Sequence, residues 1–429
     1  RSEDGIKWVG MWHALLGVKN GLEPGCPPEI KDVMMEGNNK RSVPKPDAKS
    51  IETFMRYMLS DSKRDDIDFV KIDFCGPLLT YYAGADSEKV TATFPETAKD
   101  AVPNPSASAA LYSRIFQKVV AEDFNGLINC NWHTPQFIFN SGENNVGRCS
   151  GDYRLGDLER AKSHLFYSYN TIPWIGQTYW GDHDMFHSSD KVAGEMMAIS
   201  KAISGGPIYL SDKHEELVPE NIMPLCYEDG LLIRPLAPAS PLEGDLFLNP
   251  EDKALYRAMA PLANKSVAFV LYNFHEDTNK DPVELSSSIT PEDYCSASAM
   301  IQPYPGDWKL PEEGLLVYDF TTKSAEKMGK EYKVTLKGFS DRLLQVSPIK
   351  NGWSVIGRID KYLSAPTVEI VSCDKTQLKI ILLESGPFAI WLEKGTPKAK
   401  GITFKDMGNG VFVSNLKVKA EALEVSITR

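Results

Sequence analysis

The first half of the chain alternates apolar stretches of strand-forming residues with amphipathic stretches, and this pattern predicts strands joined by helices. Alternation of this kind is typical of a parallel sheet. Four stretches carry apolar residues at helical spacing: 49–62, 106–121, 157–169 and 191–203. Six barrel strands are expected between and around them, near residues 8–13, 68–74, 126–132, 146–152, 174–180 and 206–211.

The second half follows a different pattern, in which short β-prone stretches are separated by turn residues. This pattern predicts an antiparallel β-sandwich. Its strands are expected at 265–274, 314–320, 331–338, 378–384, 388–393, 410–418 and 422–428. We therefore expect a barrel domain over residues 1–252 and a C-terminal β-sandwich domain over residues 253–429.

One predicted strand, DFVKIDFCG, is interrupted by two charges. Alternation along a strand puts Lys71 and Asp73 on one face and Val70, Ile72 and Phe74 on the other. Parallel strands covered by helices are normally apolar on both faces, and a buried charge is costly unless it is paired. Either the two charges form a pair that seals a barrel rim, or the acid is catalytic at the C-terminal mouth, where barrel active sites lie.

A second charged strand end, RCSGD, places Arg148, Ser150 and Asp152 on one face if it is extended. Two strands thus deliver carboxylates, Asp73 and Asp152, each beside a cation. Paired carboxylates suit glycoside cleavage, in which one stays ionised and the other holds a proton for the leaving oxygen. Two unrelated structural ion pairs are the alternative, because such pairs are common at strand ends.

Aromatic and polar residues surround these positions. Four tryptophans lie nearby: Trp12, Trp132, Trp174 and Trp180. Trp12 and Trp132 fall at or near predicted strand ends, where a ring could stack on a sugar, and core packing is the alternative for each tryptophan. The stretch GDHDMFHSSD offers Asp182, His183, Asp184 and His187 as metal ligands or as a polar rim after a barrel strand. No standard zinc spacing is met, so the rim is favoured, and we expect no metal and no cofactor.

Composition narrows the function classes. The 429 residues are 42% hydrophobic and 10% aromatic, as in a globular protein with a large core. The net charge is −11 and no dense Lys/Arg run occurs, so nucleic acid and membrane are not expected as partners. No apolar run approaches the ~18 residues of a membrane span. The 7 cysteines form no CxxC pair, and the chain opens with Arg1, so we expect a removed start and leave the compartment open.

Taken in order, these segments resemble the raffinose synthase and seed-imbibition-protein group, within glycoside hydrolase family 36 of the α-galactosidase clan. KWVGMWHALLG resembles the first shared strand, DFVKIDFCG the nucleophile strand, CNWHT the next segment and RCSGD the acid/base segment. GDHDMFHSSD and KAISGGPIYLSD are the most specific matches. GLLIRPLAPASPLEGDLFLNP and VAFVLYNF continue the likeness into the β-rich half.

The resemblance implies a (β/α)8 TIM-type barrel followed by an antiparallel β-sandwich. It implies a retaining enzyme that removes terminal α-galactosyl residues from an oligosaccharide substrate, with Asp73 as nucleophile and Asp152 as general acid/base. Lys71 and Arg148 would bind sugar hydroxyls. Weaker carry-overs as pocket residues are Trp12, His133, Asp182 and Asp184. The oligomeric state stays open.

The chain also departs from the family pattern. Where the family has RxSDD, this chain has Arg148-Cys149-Ser150-Gly151-Asp152, so the first of the two acids is missing. The family's IDDGW-like strand end has no counterpart, and we expect a barrel that lacks its first strands in this chain. Two alternatives therefore stay open: a galactosyltransferase of raffinose-synthase type, and a non-catalytic carbohydrate-binding fragment.

Overall fold

The structure, a computed structural model, describes residues 5–15, 18, 21–37, 41–83, 104–249, 252–275 and 282–429. It divides into two compact units, unit 1 (Arg1–Arg148) and unit 2 (Cys149–Arg429). Each is described by itself. The expected domains 1–252 and 253–429 stay a prediction. Within the described residues, no helix combines the length and the apolar character that a membrane crossing requires.

Unit 1 contains a parallel sheet with helices between its strands. Strands β1, β4, β5 and β6 are neighbours in that order and run parallel, whereas β2 and β3 pair antiparallel. The bounds are β1 (Gly10–Ala14), α1 (Pro28–Val33), β2 (Met34–Glu36), β3 (Ser42–Pro44), α2 (Ala48–Met58), α3 (Ser60–Arg64), β4 (Phe69–Asp73), α4 (Leu78–Ala83), α5 (Pro105–Asp123), β5 (Gly126–Asn129), α6 (Pro135–Ile138) and β6 (Val146–Arg148). The predicted parallel sheet is confirmed for these strands.

Local sequence explains the longest helices of unit 1. Helix α2 begins where the Asp47 carboxylate accepts a hydrogen bond from the Ser50 N–H at 2.9 Å, and α5 begins where Asn104 caps it in the same way. The buried face of α2 carries Ile51 and Phe54 at helical spacing. Helix α2 packs against α5, and α5 packs against β5 of the parallel sheet.

The first part of unit 2 continues the mixed pattern, with α7 (Leu158–Asn170), α8 (Ile172–Ile175), β7 (Trp180–Asp182), α9 (Gly194–Ser204) and α10 (Pro219–Ile222). The predicted strand at 174–180 is wrong over most of its length, because Pro173 fits the first turn of α8 and the strand begins only at Trp180. The predicted strand at 206–211 is also wrong. It is reduced to one parallel bridge between Phe186 and Leu210.

The rest of unit 2 is antiparallel. Its elements are β8 (Ser240–Pro241), β9 (Tyr256–Pro261), β10 (Val267–Asn273), β11 (Glu284–Ile289), α11 (Pro291–Ser296), β12 (Leu315–Asp319), β13 (Ser324–Lys327), β14 (Tyr332–Lys337), β15 (Ser340–Pro348), β16 (Trp353–Arg358), β17 (Val368–Cys373), β18 (Gln377–Leu382), β19 (Phe388–Leu392), β20 (Lys398–Ala399), β21 (Phe404–Gly408), β22 (Val411–Ser414) and β23 (Leu423–Thr428). All seven strands expected here are present.

The described antiparallel strands form a six-stranded sheet, a pair, and two four-stranded sheets, β16-β19-β22-β21 and β17-β18-β23-β20. One apolar core joins the two four-stranded sheets, since it contains Trp353 and Phe388 from the first and Ile380 and Val425 from the second. Burial of such side chains contributes about 25 cal/mol per Å² of apolar surface.

Candidate functional site

The end of β4 carries the charges that the sequence singles out. Val70 and Ile72 are fully buried, while Lys71 and Asp73 are partly exposed, which confirms the alternation of the two faces. The alternation stops at Asp73, because the next residue, Phe74, has a φ of 58° and leaves the strand. Across the parallel pair, Trp12 of β1 stands opposite Lys71. A cation, a carboxylate and an indole thus meet at the carboxyl end of the sheet.

Two donors orient the Asp73 carboxylate. The Phe74 backbone N–H donates to Oδ1 at 2.6 Å, and the Trp12 indole Nε1–H donates to Oδ2 at 3.4 Å. The Trp12 and Phe74 rings meet edge to face, with centroids 6.4 Å apart. Trp12 nevertheless remains 51% exposed, so an apolar face lies open beside the carboxylate. Sequence reasoning missed Phe74, whose left-handed backbone aims its N–H at Asp73.

His133 and Arg148 also belong to unit 1. Arg148, the last residue of β6, is buried at 3% exposure. The pKa of His133 lies below its ordinary value because the protein partly desolvates the ring. The Arg148 charge lowers that pKa further, and a hydrogen bond involving the Arg148 backbone opposes the shift. A neutral His133 can donate one hydrogen bond and accept another.

The four tryptophans differ in their burial and in their contacts. Trp132 is fully buried and its Nε1–H donates to the Arg148 carbonyl at 3.1 Å, so the sugar-stacking interpretation is wrong for it and core packing is correct. In unit 2, the Arg234 guanidinium lies 4.3 Å from the centroid of the Trp180 ring, which places a cation over that face. Trp174 is exposed on α8.

Asp152 lies in unit 2 on a loop rather than on a strand. Because β6 ends at Arg148, the expected extension of that strand through 152 is wrong. Asp152 is exposed, and its carbonyl accepts a hydrogen bond from Arg160 Nε at 2.7 Å. The preceding turn is held by His164, whose Nδ1 lies 2.9 Å from the Gly151 carbonyl. The turn therefore presents the Asp152 side chain to solvent on a fixed backbone.

His164 is a second residue that sequence reasoning missed. Its Nδ1 also lies 3.0 Å from Ser150 Oγ, and its Nε2 lies 2.9 Å from the His183 carbonyl. The pKa of His164 lies far below its ordinary value because the ring is buried, and the nearby Lys201 ammonium lowers it further. A neutral imidazole donates from only one ring nitrogen. With Nε2–H donating to the His183 carbonyl, Nδ1 accepts from the Ser150 hydroxyl, and the ring links the Asp152 turn to the segment after β7.

Asp182 and Asp184 are buried at 0% and 3% exposure. The Tyr209 hydroxyl lies 3.0 Å from both carboxylate oxygens of Asp182 and 3.4 Å from Asp184 Oδ1. The Asp184 N–H donates to Asp182 Oδ1 at 2.7 Å, and the Tyr153 N–H donates to Asp184 Oδ2 at 2.8 Å. Asp184 has a φ of 64°, which these bonds help to hold.

The whole stretch around these acids is an internal network rather than the expected polar rim. Asp190 bonds to the Tyr153 hydroxyl, and Asp212 accepts the Ser188 and Ser189 N–H groups at 2.8 and 2.9 Å. Among the described residues, no group of three or more His, Cys, Asp or Glu side chains is arranged to hold a metal ion. A contact of Asp182 or Asp184 with a sugar stays a prediction.

Comparisons with known proteins agree with this organisation. Residues 1–260 match the model of the family described as raffinose synthase or seed imbibition protein Sip1. A probable galactinol–sucrose galactosyltransferase 6 of Arabidopsis thaliana is 26% identical over 425 residues, covering 90% of this chain and 53% of that protein. Stachyose synthase of Pisum sativum is 27% identical, covering 57% of this chain and 30% of that protein. The chain thus spans about half or less of the length of these two relatives.

Among solved structures, a GH27 β-L-arabinopyranosidase from Geobacillus stearothermophilus is similar, with a TM-score of 0.52 and 11% identity. The similarity covers 80% of this chain and 74% of that one. At this identity the likeness concerns the fold alone. The family match, by contrast, spans more than half of the chain and includes both charged strand ends. The chain belongs to the raffinose synthase or seed imbibition protein Sip1 family.

Proposed function

We propose that this chain acts on α-galactosides and cleaves terminal α-galactosyl residues from oligosaccharides by a two-carboxylate double displacement. One observation carries the proposal: Asp73 ends a parallel strand, is partly exposed, and is oriented by Phe74 and by the exposed Trp12 indole. Carboxyl ends of parallel strands are where such folds place their chemistry. The names of the family relatives, which are galactosyltransferases, support the sugar class.

In the proposed reaction, Asp73 attacks the anomeric carbon and the bond to the leaving oxygen breaks, with the proton for that oxygen coming from Asp152. The ionised Asp152 then removes a proton from water, whose oxygen displaces Asp73 and releases the sugar with retained configuration. Lys71 and Arg148 bind sugar hydroxyls. Trp12 and His133 line the pocket, and Asp182 and Asp184 are assigned a weaker supporting role.

The fold proposed with this function is a (β/α)8 TIM-type barrel over residues 1–252 followed by an antiparallel β-sandwich over 253–429. Support comes from the parallel strands of unit 1 and from the two four-stranded sheets that share a core in unit 2. The similarity to the GH27 enzyme supports a fold of this class.

A second candidate is transfer of the galactosyl group to an acceptor sugar. The same two carboxylates serve both reactions, and the difference is whether water or a sugar hydroxyl reaches the glycosyl-enzyme. The names of the relatives, galactinol–sucrose galactosyltransferases, favour transfer. Chromatography of the products with and without added sucrose separates the two. Free galactose that is unaffected by sucrose supports hydrolysis, and a new trisaccharide supports transfer.

The first test is intact-protein mass spectrometry after exposure to an activated fluorinated α-galactoside, which accumulates glycosyl-enzyme. The proposal expects a gain of one sugar, mapped by peptide digestion to the segment that contains Asp73. Asp73→Asn should abolish the gain. The matched control Asp406→Asn, an exposed aspartate on β21, should not. Labelling elsewhere, or labelling of Asp73→Asn, contradicts the assignment. Absence of any label would favour the non-catalytic binding fragment.

A further inference from the structure

A groove lies at the opposite end of the parallel strands of unit 1 from Asp73. We call it the amino-edge groove; it has a volume of about 390 Å³, and its lining includes Trp8, Phe69, Asn125, Gly126, Glu143 and Asn145. Phe69 is the first residue of β4 and Asp73 the last. At roughly 3.3 Å per residue the two ends of the strand are about 13 Å apart. The groove is therefore separate from the carboxylate end of β4.

One wall of the groove is aromatic and open. The Trp8 side chain is 58% exposed, and Phe69 lines the groove with it. Gly126, the first residue of β5, leaves room beside Phe69, since an added Cβ would meet only the Phe69 Cβ at 3.5 Å. A large exposed ring beside a hollow is a platform for the flat apolar face of a ligand.

The opposite wall carries hydrogen-bonding groups. Glu143 and Asn145 are exposed, and Glu143 makes no hydrogen bond or ion pair to any residue that the structure describes. A smaller cavity of about 210 Å³ adjoins the groove, because Asn125, Gly126 and Glu143 line both. These side chains offer carboxylate and amide oxygens together with amide N–H donors.

One polar side chain that lines the smaller cavity has its amide turned into the protein interior. Gln117, on α5, lines the smaller cavity and is only 1% exposed. Its Nε2–H donates to Asn129 Oδ1 at 3.2 Å, but its Oε1 has no hydrogen-bond partner. The Oε1 atom is enclosed by protein, as is the unpaired Nδ2 of Asn129, so the hydrogen-bonding groups open to the groove include those of Glu143 and Asn145.

We propose that the amino-edge groove binds a neutral hexopyranose unit, as a second carbohydrate site of this chain. A hexopyranose has an apolar C–H face suited to the Trp8 ring and hydroxyls suited to Glu143 and Asn145. Glu143 is the one charged residue among the lining residues that the structure describes, and it is an acid, so a phosphorylated or carboxylated sugar is disfavoured. The sugar class is that of the proposed substrate, but the site itself stands on its own residues.

The test is ¹⁹F NMR of protein labelled with 5-fluorotryptophan, titrated with galactose. The chain has 8 tryptophans, so each gives one signal, and Trp8→Phe and Trp12→Phe identify the two that matter. The proposal expects the Trp8 signal to shift and to saturate with galactose. The Trp174 signal, from an equally exposed tryptophan outside the groove, should not shift. The Trp12 signal reports independently on the carboxylate end of the sheet.

Two variants decide the result. Gly126→Leu fills the groove without removing a polar contact, and Glu143→Ala removes its carboxylate. Each should weaken the response of Trp8 by at least about tenfold, which corresponds to 1.4 kcal/mol, and leave the Trp12 response unchanged. Thermal unfolding and the remaining tryptophan signals check that each variant is folded.

An unmoved Trp8 signal, or a shift that stays linear in galactose and matches that of Trp174, overturns the proposal. A shift that survives Gly126→Leu in folded protein overturns it as well. Response at Trp12 without response at Trp8 leaves the proposed function intact and refutes the second site. Response at Trp8 without response at Trp12 supports the second site and counts against the proposed function.

Discussion

Asp73 in unit 1 and the pair Asp182 and Asp184 in unit 2 lie at or just after the ends of strands, β4 and β7, yet their surroundings are opposite. Asp73 is partly exposed, and its donors are one backbone N–H at 2.6 Å and one indole N–H at 3.4 Å. Asp182 is fully buried and bonded to the Tyr209 hydroxyl through both oxygens, with the Asp184 N–H as well. A carboxylate has about four acceptor positions. Asp73 therefore has acceptor positions left for a ligand, whereas those of Asp182 are used by hydrogen bonds that hold the chain.

The largest expected effect concerns Asp73, the partly exposed carboxylate of this comparison. Asp73→Asn should lower kcat/KM on an α-galactoside by at least about a thousandfold, because the amide cannot form the glycosyl-enzyme. The thermal unfolding midpoint should stay close to that of the parent protein, since the hydrogen bond from Trp12 to the carboxylate is long and the one from Phe74 comes from the adjacent residue. Parallel activity and thermal unfolding measurements check this. A large fall in the unfolding midpoint would place Asp73 with the structural acids instead.

Asp182, the buried carboxylate of the comparison, is expected to affect the stability of the fold strongly. Asp182→Ala removes the acceptor of the Asp184 N–H and the two nearer acceptor oxygens of the Tyr209 hydroxyl, and the free energy of unfolding should fall by about 2–4 kcal/mol. Urea unfolding measures this. Asp406→Ala, at an exposed strand position, is the control and should change stability by less than about 0.5 kcal/mol. Equal effects of the two substitutions would refute a structural role for Asp182.

His164, which links the Asp152 turn to the segment after β7, should make the stability of the protein depend on pH. Burial lowers the pKa of His164, so the unfolded chain binds the proton at a higher pH than the folded one. Its stabilising contribution is complete above about pH 6.5 and is lost as the pH falls, by up to about 1.4 kcal/mol per pH unit. His164→Gln keeps a donor for the His183 carbonyl but does not titrate.

Urea unfolding of the parent and His164→Gln proteins between pH 8 and pH 4 isolates this contribution. The parent should lose more stability on acidification than the variant does. Parallel curves for the two proteins would mean that His164 is charged in the folded state or is not buried. Histidines that do not interact with His164 contribute equally to both curves and cancel in the difference, whereas His183, whose pKa His164 helps to lower, contributes to it.

The smallest effect concerns the indole beside Asp73. Trp12→Phe keeps an aromatic face but removes the 3.4 Å hydrogen bond, so kcat/KM should fall only about two- to fivefold. Trp174→Phe, at an exposed helical tryptophan, should leave activity unchanged. Steady-state kinetics distinguish them. A loss as large as that of Asp73→Asn would give Trp12 a role beyond orienting the carboxylate.

Sequence patterns predicted the elements whose local signals agree with their packing. β4 follows its period-2 alternation, and α5 follows its helical period between an Asn cap and the next strand. The strand predicted within 172–180 was wrong because this apolar run fits a helix or a strand equally well. Pro173 favours the first turn of a helix, and α8 forms there. The stretch 206–211 failed because strand pairing depends on a partner backbone, and only Leu210 finds one.

The sequence by itself determined the family and the candidate residues. Two charges in an otherwise apolar strand mark Asp73, and the ordered motifs determine the family. Tertiary structure alone decided how exposed each acid is and which groups bond to it, because exposure and most hydrogen-bond partners come from residues distant along the chain. Tyr209 seals Asp182, and His164 fixes the turn before Asp152. No pattern around an aspartate reveals such partners, since burial depends on how the whole chain packs.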